Sequence, residues 1–385
     1  MKVLIAGGGT GGHLFPGLAI AEELRRRDES NEVVFAGTEH GIEARIIPRE
    51  GYPIRYVRSE GIVGKSCLKK ARAFGMLLLS MRDARKILDS VVPDIVIGVG
   101  GYSSGAVVLM AGLKSIPTMI HEQNSVPGLT NRMLGKIVRR VCVTYHESIP
   151  SFPMGKTFFT GNPIRARILK GERDAACRLF SLERDLFTVF IFGGSTGARS
   201  INRTMVDALN YLTDLKDKMQ FLHQTGDRDF ENIRDAYRKA GAKGTVAPFI
   251  YQMAEAYAIA DVVVSRAGAT TLAEITALGK PAVLIPFPYA AGRHQEFNAV
   301  KLKEMGAAHV MLEDEMKGET LASYIRALYE NDAARVEMQK ASRSLGMPDA
   351  CGRIVDIAVS LAKNEGRKTK EGNGGAVRKK GSARV

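Results

Sequence analysis

The chain opens on an apolar run, Lys2-Val-Leu-Ile5, then a glycine-dense turn, then a stretch of mixed apolar and charged positions that reaches Leu24. This order predicts a buried strand feeding a helix through a tight turn. Further β-rich runs follow at Glu32-Val-Val-Phe35, Asp94-Ile-Val-Ile-Gly98, Pro117-Thr-Met-Ile120 and Arg140-Val-Cys-Val-Thr144, separated by helical stretches. Strand alternating with helix is what a parallel sheet requires. The plan then restarts with Phe187-Thr-Val-Phe-Ile-Phe192 and a second glycine turn, after which Ile201, Met205, Ala208 and Leu212 mark one helical face. Met219-Gln-Phe-Leu222, Asp261-Val-Val-Val-Ser265 and Pro281-Ala-Val-Leu-Ile285 continue the second half.

The Gly-Asn-Pro within Thr160–Arg165 breaks regular structure between the halves. Two Rossmann-like domains are therefore expected, over residues 1–163 and 164–345. A helix over about 346–362 is expected to pack back on the first domain, and residues 363–385 to form a disordered basic tail.

At 385 residues and 45% hydrophobic content the chain suits about two globular domains. No apolar stretch approaches the roughly 18 residues of a membrane span, and no cleavable signal precedes the first strand, so a cytosolic chain is expected. Four scattered cysteines (Cys67, Cys142, Cys177, Cys351) fit reduced thiols better than a disulfide frame or zinc site. The net charge of +14 calls for an anionic partner, although the tail from Lys363 carries eight basic and two acidic residues of it. With no Trp and no basic-aromatic pattern, nucleic acid lacks a stacking platform and is not the expected partner.

The Gly-Gly-x-Thr-Gly pattern occurs twice, in the Gly7–Gly12 cluster and at Gly193–Gly197. A helix amino end carries unpaired N–H groups, and glycine lets a phosphate approach the backbone, so a diphosphate suits both turns. Gly7-x-Gly9-x-x-Gly12 also satisfies the dinucleotide fingerprint, which alone is a weak signal for a nicotinamide or flavin enzyme. Against it stand the density of the cluster, the late position of Glu39 and the second turn, which a single dinucleotide site does not use. Two more glycine turns follow strands, in "GVGGYSSGAVV" and "SRAGATTLAEITALGKP". In open α/β sheets ligands bind beyond the strand carboxyl ends, so all four turns are expected to face one cleft. Glu274, in a helix from about Ala269 to Gly279, suits a ribose diol or, alternatively, a solvated helix surface. In "GRHQEFNA", Gln295 and Asn298 share a helix face and suit sugar hydroxyls, or an ordinary polar face.

In order along the chain, "GGGTGGHLFPGLAIA", "GVGGYSSGAVV", "HEQNSVPGLTNR", "GNPIR", "GGSTGARSIN", "HQTG" and "ADVVVSRAGATTLAEITALGKPAVLIPFP" resemble a known family. It is that of the bacterial peptidoglycan transferases that add N-acetylglucosamine to undecaprenyl-diphospho-muramoyl-pentapeptide, converting lipid I to lipid II. The resemblance implies an α/β chain of GT-B fold, two Rossmann-like domains with a cleft between them. UDP-N-acetylglucosamine is then the donor, with no tightly bound cofactor and no metal. It implies that Ser195 contacts the donor phosphates, that Ile250 offers backbone groups to uracil, and that Glu274 binds the ribose diol. Arg165 also binds the nucleotide. Thr10, Gly11, Gly12, Asn124, Ala269, Thr270, Thr271 and Gln295 surround the sugar and reacting centre, with Asn298 matching too. Gly100, Gly101 and Tyr102 lie near the acceptor diphosphate. At His294 the chain departs from the family pattern, which often has a second Gln there, and no contact is carried to it.

Transfer with inversion needs a base for the acceptor hydroxyl and stabilisation of the departing diphosphate. His13 is the natural base, its alternative role being to orient the loop or bond a phosphate. His121 and Glu122 are the rival pair. Asp227-Arg-Asp229 precedes a predicted helix and suits capping better than metal binding. A lipid-borne acceptor requires docking on an anionic membrane surface, which places the enzyme peripherally on the cytoplasmic side of the plasma (inner) membrane. Cys67–Leu88, with Lys69, Lys70, Arg72, Arg82, Phe74 and Met76–Leu79, reads as an interfacial helix or as a crossover helix buried in the first domain. Lys136, Arg139 and Arg140 add positive charge. The competing readings are a UDP-sugar transferase acting on another lipid such as diacylglycerol, a nucleotide-binding module without catalysis, and an electrostatic nucleic-acid binder.

Overall fold

A computed structural model describes residues 1–58 and 67–377. The chain divides into two compact units. Unit 1 comprises Met1–Gln123, Pro127–Pro163 and Asp349–Val385; unit 2 comprises Asn124–Val126 and Ile164–Pro348.

Unit 1 is built on a seven-stranded sheet of β1 (Lys2–Ala6), β2 (Glu32–Gly37), β3 (Ile54–Tyr56), β4 (Ile95–Gly98), β5 (Thr118–Glu122), β6 (Arg140–Val143) and β7 (Thr157–Phe159). Their order is β3-β2-β1-β4-β5-β6-β7, with every neighbouring pair parallel. Helices cover both faces of such a sheet, so its inner strands are continuous apolar runs. Val3 to Ala6 and Ile95 to Ile97 are accordingly fully buried. Unit 2 repeats the design with β8 (Phe187–Phe192), β9 (Met219–Gln224), β10 (Gly244–Ala247), β11 (Val262–Ser265), β12 (Ala282–Leu284) and β13 (His309–Val310). Its order is β10-β9-β8-β11-β12-β13, again all parallel.

In each sheet the chain reverses its direction of growth once, between β1 and β4 and between β8 and β11. Ligands of doubly wound sheets sit beyond the strand carboxyl ends at this switch point. Register places Ala6 opposite Gly98 and Phe192 opposite Ser265. The glycine turns that follow these residues are therefore paired, two at the switch point of each unit.

The inner strands match the sequence expectation, whereas β3, β7, β10 and β13 were not anticipated. All four are sheet edges of two to four residues. An edge strand is covered on fewer sides, so it carries no long apolar run to read.

The last helix, Ala350–Val377, belongs to unit 1. Ile354, Val355 and Ala358 are fully buried, and Cys351 Sγ lies 3.1 Å from the Ala19 carbonyl in the opening helix, Gly11–Arg27. Arg27 donates to Asp356 at 2.5 Å and to the Gly352 carbonyl at 2.9 Å. The helix is described to Val377. Residues 378–385 lie outside the described residues.

The helix Cys67–Val91 ends at Val92, a β-branched residue at φ +49°, 73% exposed, whose N–H donates to the Leu88 carbonyl at 2.9 Å. The left-handed region crowds Cβ against the following carbonyl, most severely for branched side chains. Val92→Asn is expected to stabilise unit 1 by about 1 kcal/mol, read as a rise in the denaturant midpoint with unchanged slope.

Candidate functional site

In unit 1 the turn after β1 is shaped by a carboxylate far along the chain. Glu43, 1% exposed, accepts from the Gly9 N–H at 2.8 Å, the Thr38 N–H at 2.9 Å and the Thr38 hydroxyl at 2.8 Å. The carboxylate thus ties Gly9, in the loop that enters the opening helix, to Thr38 after β2. The turn after β4 presses on it. A Cβ on Gly101 (φ +82°) would lie 2.5 Å from the Gly8 carbonyl oxygen, and one on Gly100 (φ +93°) 2.6 Å from His13 Cδ2. Only glycine permits both the conformation and the approach.

His13 is half-buried, with Nδ1 3.3 Å from Thr10 Oγ1 and its ring against Gly100. The structure thus brings together Thr10, Gly11, Gly12, His13, Gly100 and Gly101. Tyr102 starts the next helix, Tyr102–Leu113, but its side chain lies outside the described residues.

The rival base pair, His121 and Glu122, is buried. Glu122 is 1% exposed, and its Oε2 accepts from Asn131 Nδ2 at 2.9 Å and from the Gly128 N–H at 3.2 Å, tying down the start of the helix Leu129–Ile137. His121 is fully buried. Its Nε2–H donates to the Gly161 carbonyl at 3.0 Å, and Gln123 Nε2 donates to Nδ1 at 3.2 Å. Burial holds the imidazole neutral, lowering its pKa to about 4. Both side chains serve the strand-to-helix join.

In unit 2 the Gly193–Gly197 turn meets Thr225-Gly226 backbone to backbone, and a Cβ on either Gly197 or Gly226 would collide with the other turn's carbonyl. Ser195 sits half-exposed at the tip. The helix Ala269–Leu278 follows β11 and stops at Gly279, φ +64°, as its sequence anticipates. Ala269 and Thr270 are buried and Thr271 is half-buried in its first turn. Glu274, 6% exposed, accepts from the fully buried Tyr257 hydroxyl at 2.9 Å. Burial raises its pKa, opposed by the charge of the buried Arg165 and by the Tyr257 bond. The solvated-surface alternative for Glu274 is thereby removed.

Three expectations change in detail. The Ile250 N–H donates to Gln224 Oε1 at 2.8 Å. Gln295 Oε1 already accepts from the Phe287 N–H at 3.0 Å, anchoring the loop after β12. Asp229 stands at the N-cap of the helix Phe230–Lys239 without capping it: its carboxylate takes Asn202 Nδ2 at 3.0 Å and Arg199 Nε at 3.3 Å. Asn298, 1% exposed in the helix His294–Glu304, has neither amide atom hydrogen-bonded among the described residues. A buried amide without partners costs about 1–3 kcal/mol. Asn124 is half-buried in the short segment grouped with unit 2, whose Val126 packs against Gly292.

Sequence reasoning missed Glu43, Tyr257 and Gln224. Glu43 and Tyr257 act across 34 and 17 residues, where no local pattern signals the pairing. Gln224 lies in the quoted "HQTG", and its position there was the available signal.

The comparisons agree with this architecture. Residues 3–143 match the glycosyltransferase family 28 N-terminal domain and residues 188–354 the glycosyltransferase family 28 C-terminal domain. The two parallel-sheet units are those of the GT-B fold, and the chain belongs to glycosyltransferase family 28. Full-length relatives narrow this further. The UDP-N-acetylglucosamine–N-acetylmuramyl-(pentapeptide) pyrophosphoryl-undecaprenol N-acetylglucosamine transferase of Thermodesulfovibrio yellowstonii is 48% identical over 365 residues, 95% of this chain and 100% of the relative. The protein of the same name from Myxococcus xanthus is 47% identical, covering 94% of this chain and 93% of its own. The crystal structure of Acinetobacter baumannii MurG aligns with TM-score 0.69 and 31% identity over 92% of this chain and 98% of that one. A UDP-GlcNAc 2-epimerase from Neisseria meningitidis, 14% identical with TM-score 0.66 over 94% of this chain and 100% of its own, shares the fold alone. The family resemblance carried by the ordered motifs is borne out.

His121 and the fully buried His223, whose pKa burial lowers to about 3, set an acid limit on stability. Between about pH 6.5 and 4 the unfolded chain protonates both imidazoles while the folded chain does not, so folding weakens as pH falls. Each histidine is expected to cost about 1.4 kcal/mol per pH unit in that window. Urea midpoints at pH 7.0, 5.5 and 4.5 measure this, and His121→Gln should flatten the dependence.

Proposed function

We propose that this protein is the inverting transferase that moves N-acetylglucosamine from UDP-N-acetylglucosamine to the muramoyl 4-hydroxyl of undecaprenyl-diphospho-muramoyl-pentapeptide, forming lipid II for peptidoglycan. The observation that carries this reading is the full-length kinship, at 48% identity, with a transferase named for this chemistry.

The donor side is assigned to unit 2. Ser195 and the turn around it receive the diphosphate, Glu274 the ribose diol, Arg165 the nucleotide, and the Ile250 backbone the uracil. Ala269, Thr270, Thr271, Gln295, Asn298 and Asn124 receive the sugar. In support, Glu274 is a buried carboxylate already oriented by Tyr257, and Asn298 is a buried amide awaiting partners. The acceptor diphosphate is assigned to Gly100, Gly101 and Tyr102, at the start of a helix in unit 1, where backbone N–H groups favour phosphate.

In the reaction the acceptor hydroxyl loses its proton, its oxygen bonds to the sugar C1, and the bond from C1 to the diphosphate oxygen breaks, releasing UDP. His13 is the proposed base, backed by Thr10 at Nδ1 and by the close approach of Gly100. Amides of the glycine turns stabilise charge on the departing diphosphate. With radiolabelled UDP-N-acetylglucosamine and lipid I, the expected product is the disaccharide-bearing lipid, and its absence would remove the assignment. His13→Ala should lower kcat by about 10²–10⁴ while the Kd for UDP stays within about twofold. Near-normal turnover would take His13 out of the chemistry.

Membrane docking is assigned to unit 1. No helix among the described residues is long and apolar enough to cross a membrane. The helix Cys67–Val91 buries Ala84, Ile87, Leu88 and Val91 in the core but leaves Leu77, Leu78 and Leu79 exposed. Arg82, Lys136 and Arg139 are exposed as well. The buried part supports the crossover reading and the exposed part the interfacial one; the side chains of Lys69, Lys70, Arg72 and Phe74 lie outside the described residues. Apolar side chains beside basic ones suit an anionic surface on the cytoplasmic side of the inner membrane. Sedimentation with phosphatidylglycerol vesicles at low salt should capture the wild type and lose most of Leu78→Glu. Equal capture of both would move docking elsewhere.

A further inference from the structure

The opening helix, Gly11–Arg27, begins without the cap its sequence offers. Thr10 stands at the N-cap with extended backbone, φ −139° and ψ 159°, yet its hydroxyl makes no capping bond. A threonine at this place ordinarily accepts from the N–H two or three residues on. Its Oγ1 lies instead 3.3 Å from Nδ1 of the His13 ring, and its carbonyl takes the His13 N–H at 3.2 Å and the Leu14 N–H at 3.1 Å. Thr10 thus sets both the backbone and the imidazole of His13. The helix starts on Gly11 and Gly12, a residue type of poor helix propensity. Where His13 sits therefore follows from what holds Thr10, and the residue before Thr10 is Gly9, at φ +85°.

Glu43 holds Gly9. Its Oε2 accepts the Gly9 N–H at 2.8 Å, while Oε1 accepts both the N–H and the hydroxyl of Thr38. Bare backbone walls the carboxylate in: a Cβ on Gly8 or Gly41 would overlap its oxygens, and one on Gly37 would lie 2.6 Å from Cγ. Resting on the reading of His13 as base, we infer that Glu43 is a positioning residue for the transfer. It acts on the imidazole through the Gly9 amide and then through the hydroxyl and carbonyl of Thr10. A base works only within hydrogen-bond reach of the proton it takes, and a displacement of about 1 Å can cost about 10²-fold in rate. A buried carboxylate locked between two loops supplies that precision to a helix start whose own cap is turned to the ring.

The test measures transfer from UDP-N-acetylglucosamine to lipid I by the wild type, Glu43→Gln, His13→Ala and the double variant. Glutamine has one carbonyl oxygen, so its NH2 group must face a backbone N–H at Gly9 or at Thr38, and one tie is lost. Glu43→Gln is expected to lower kcat by about 10–10²-fold while the Kd for UDP stays within about twofold, which a general loosening of the fold would not spare. In the His13→Ala background the same change should cost less than about threefold, because a ring that is absent cannot be misplaced. Thr38→Val removes one bond and keeps the side-chain shape. Measured in both backgrounds, it should give a smaller loss with the same dependence on His13, and it decides the matter if Glu43→Gln does not fold. Equal losses with and without the imidazole, or turnover of Glu43→Gln within about twofold of the wild type, would overturn the proposal. Near-normal turnover of His13→Ala would instead remove the base assignment and this role with it. Absence of product from the wild type would remove the transferase reading itself, so the failures are told apart.

Discussion

Direct contact between neighbouring backbone turns is the constraint on which the two halves of this protein rest. In unit 1 the Gly8 carbonyl lies where a Cβ on Gly101 would sit, and in unit 2 the same holds between Gly197 and Thr225 and between Gly226 and Thr196. A side chain at these positions would force adjacent strands apart or unseat the helices that follow them. The turns are therefore glycine-rich for packing as well as for ligand approach. Register then decides what the packed turns present, because each follows a strand that ends level with its neighbour.

Buried carboxylates divide the labour around these turns. Glu43 joins the first turn at Gly9 to Thr38 after β2, and Glu122 holds the start of a helix. Glu274 is bonded by Tyr257 and stands under the influence of the Arg165 charge. Burial has a desolvation cost for each, met by hydrogen bonds in the first two and by a hydroxyl and a counter-charge in the third. The residue type is the same in all three, and the partners alone distinguish a structural role from one suited to a ligand.

Much of the fold was legible because buried parallel strands require uninterrupted apolar runs. Leu272 and Ile275 gave the inner face of the Glu274 helix, and Gly279 its end. The short edge strands escaped because two to four residues carry no period. Glu122 and His121 were read as acid–base candidates because residue type advertises chemistry while burial does not. Asp229 was read as a cap from its place before a helix, whereas Asn202 and Arg199 reach its carboxylate from another element.

The sequence by itself determined the two-fold repetition of strand, glycine turn and helix, the position of the break near Gly161, and membership of a transferase family through motifs kept in order. These follow from local stereochemistry, since a run of apolar residues or a glycine at a helix end means the same thing wherever it lies. Tertiary structure alone decided that Glu43 shapes the first turn, that Tyr257 orients Glu274, that Asn298 is buried with its amide open, and that Gln224 joins two loops. Each depends on side chains meeting across tens of residues, and only the register of the folded sheets fixes which of them come within hydrogen-bonding reach.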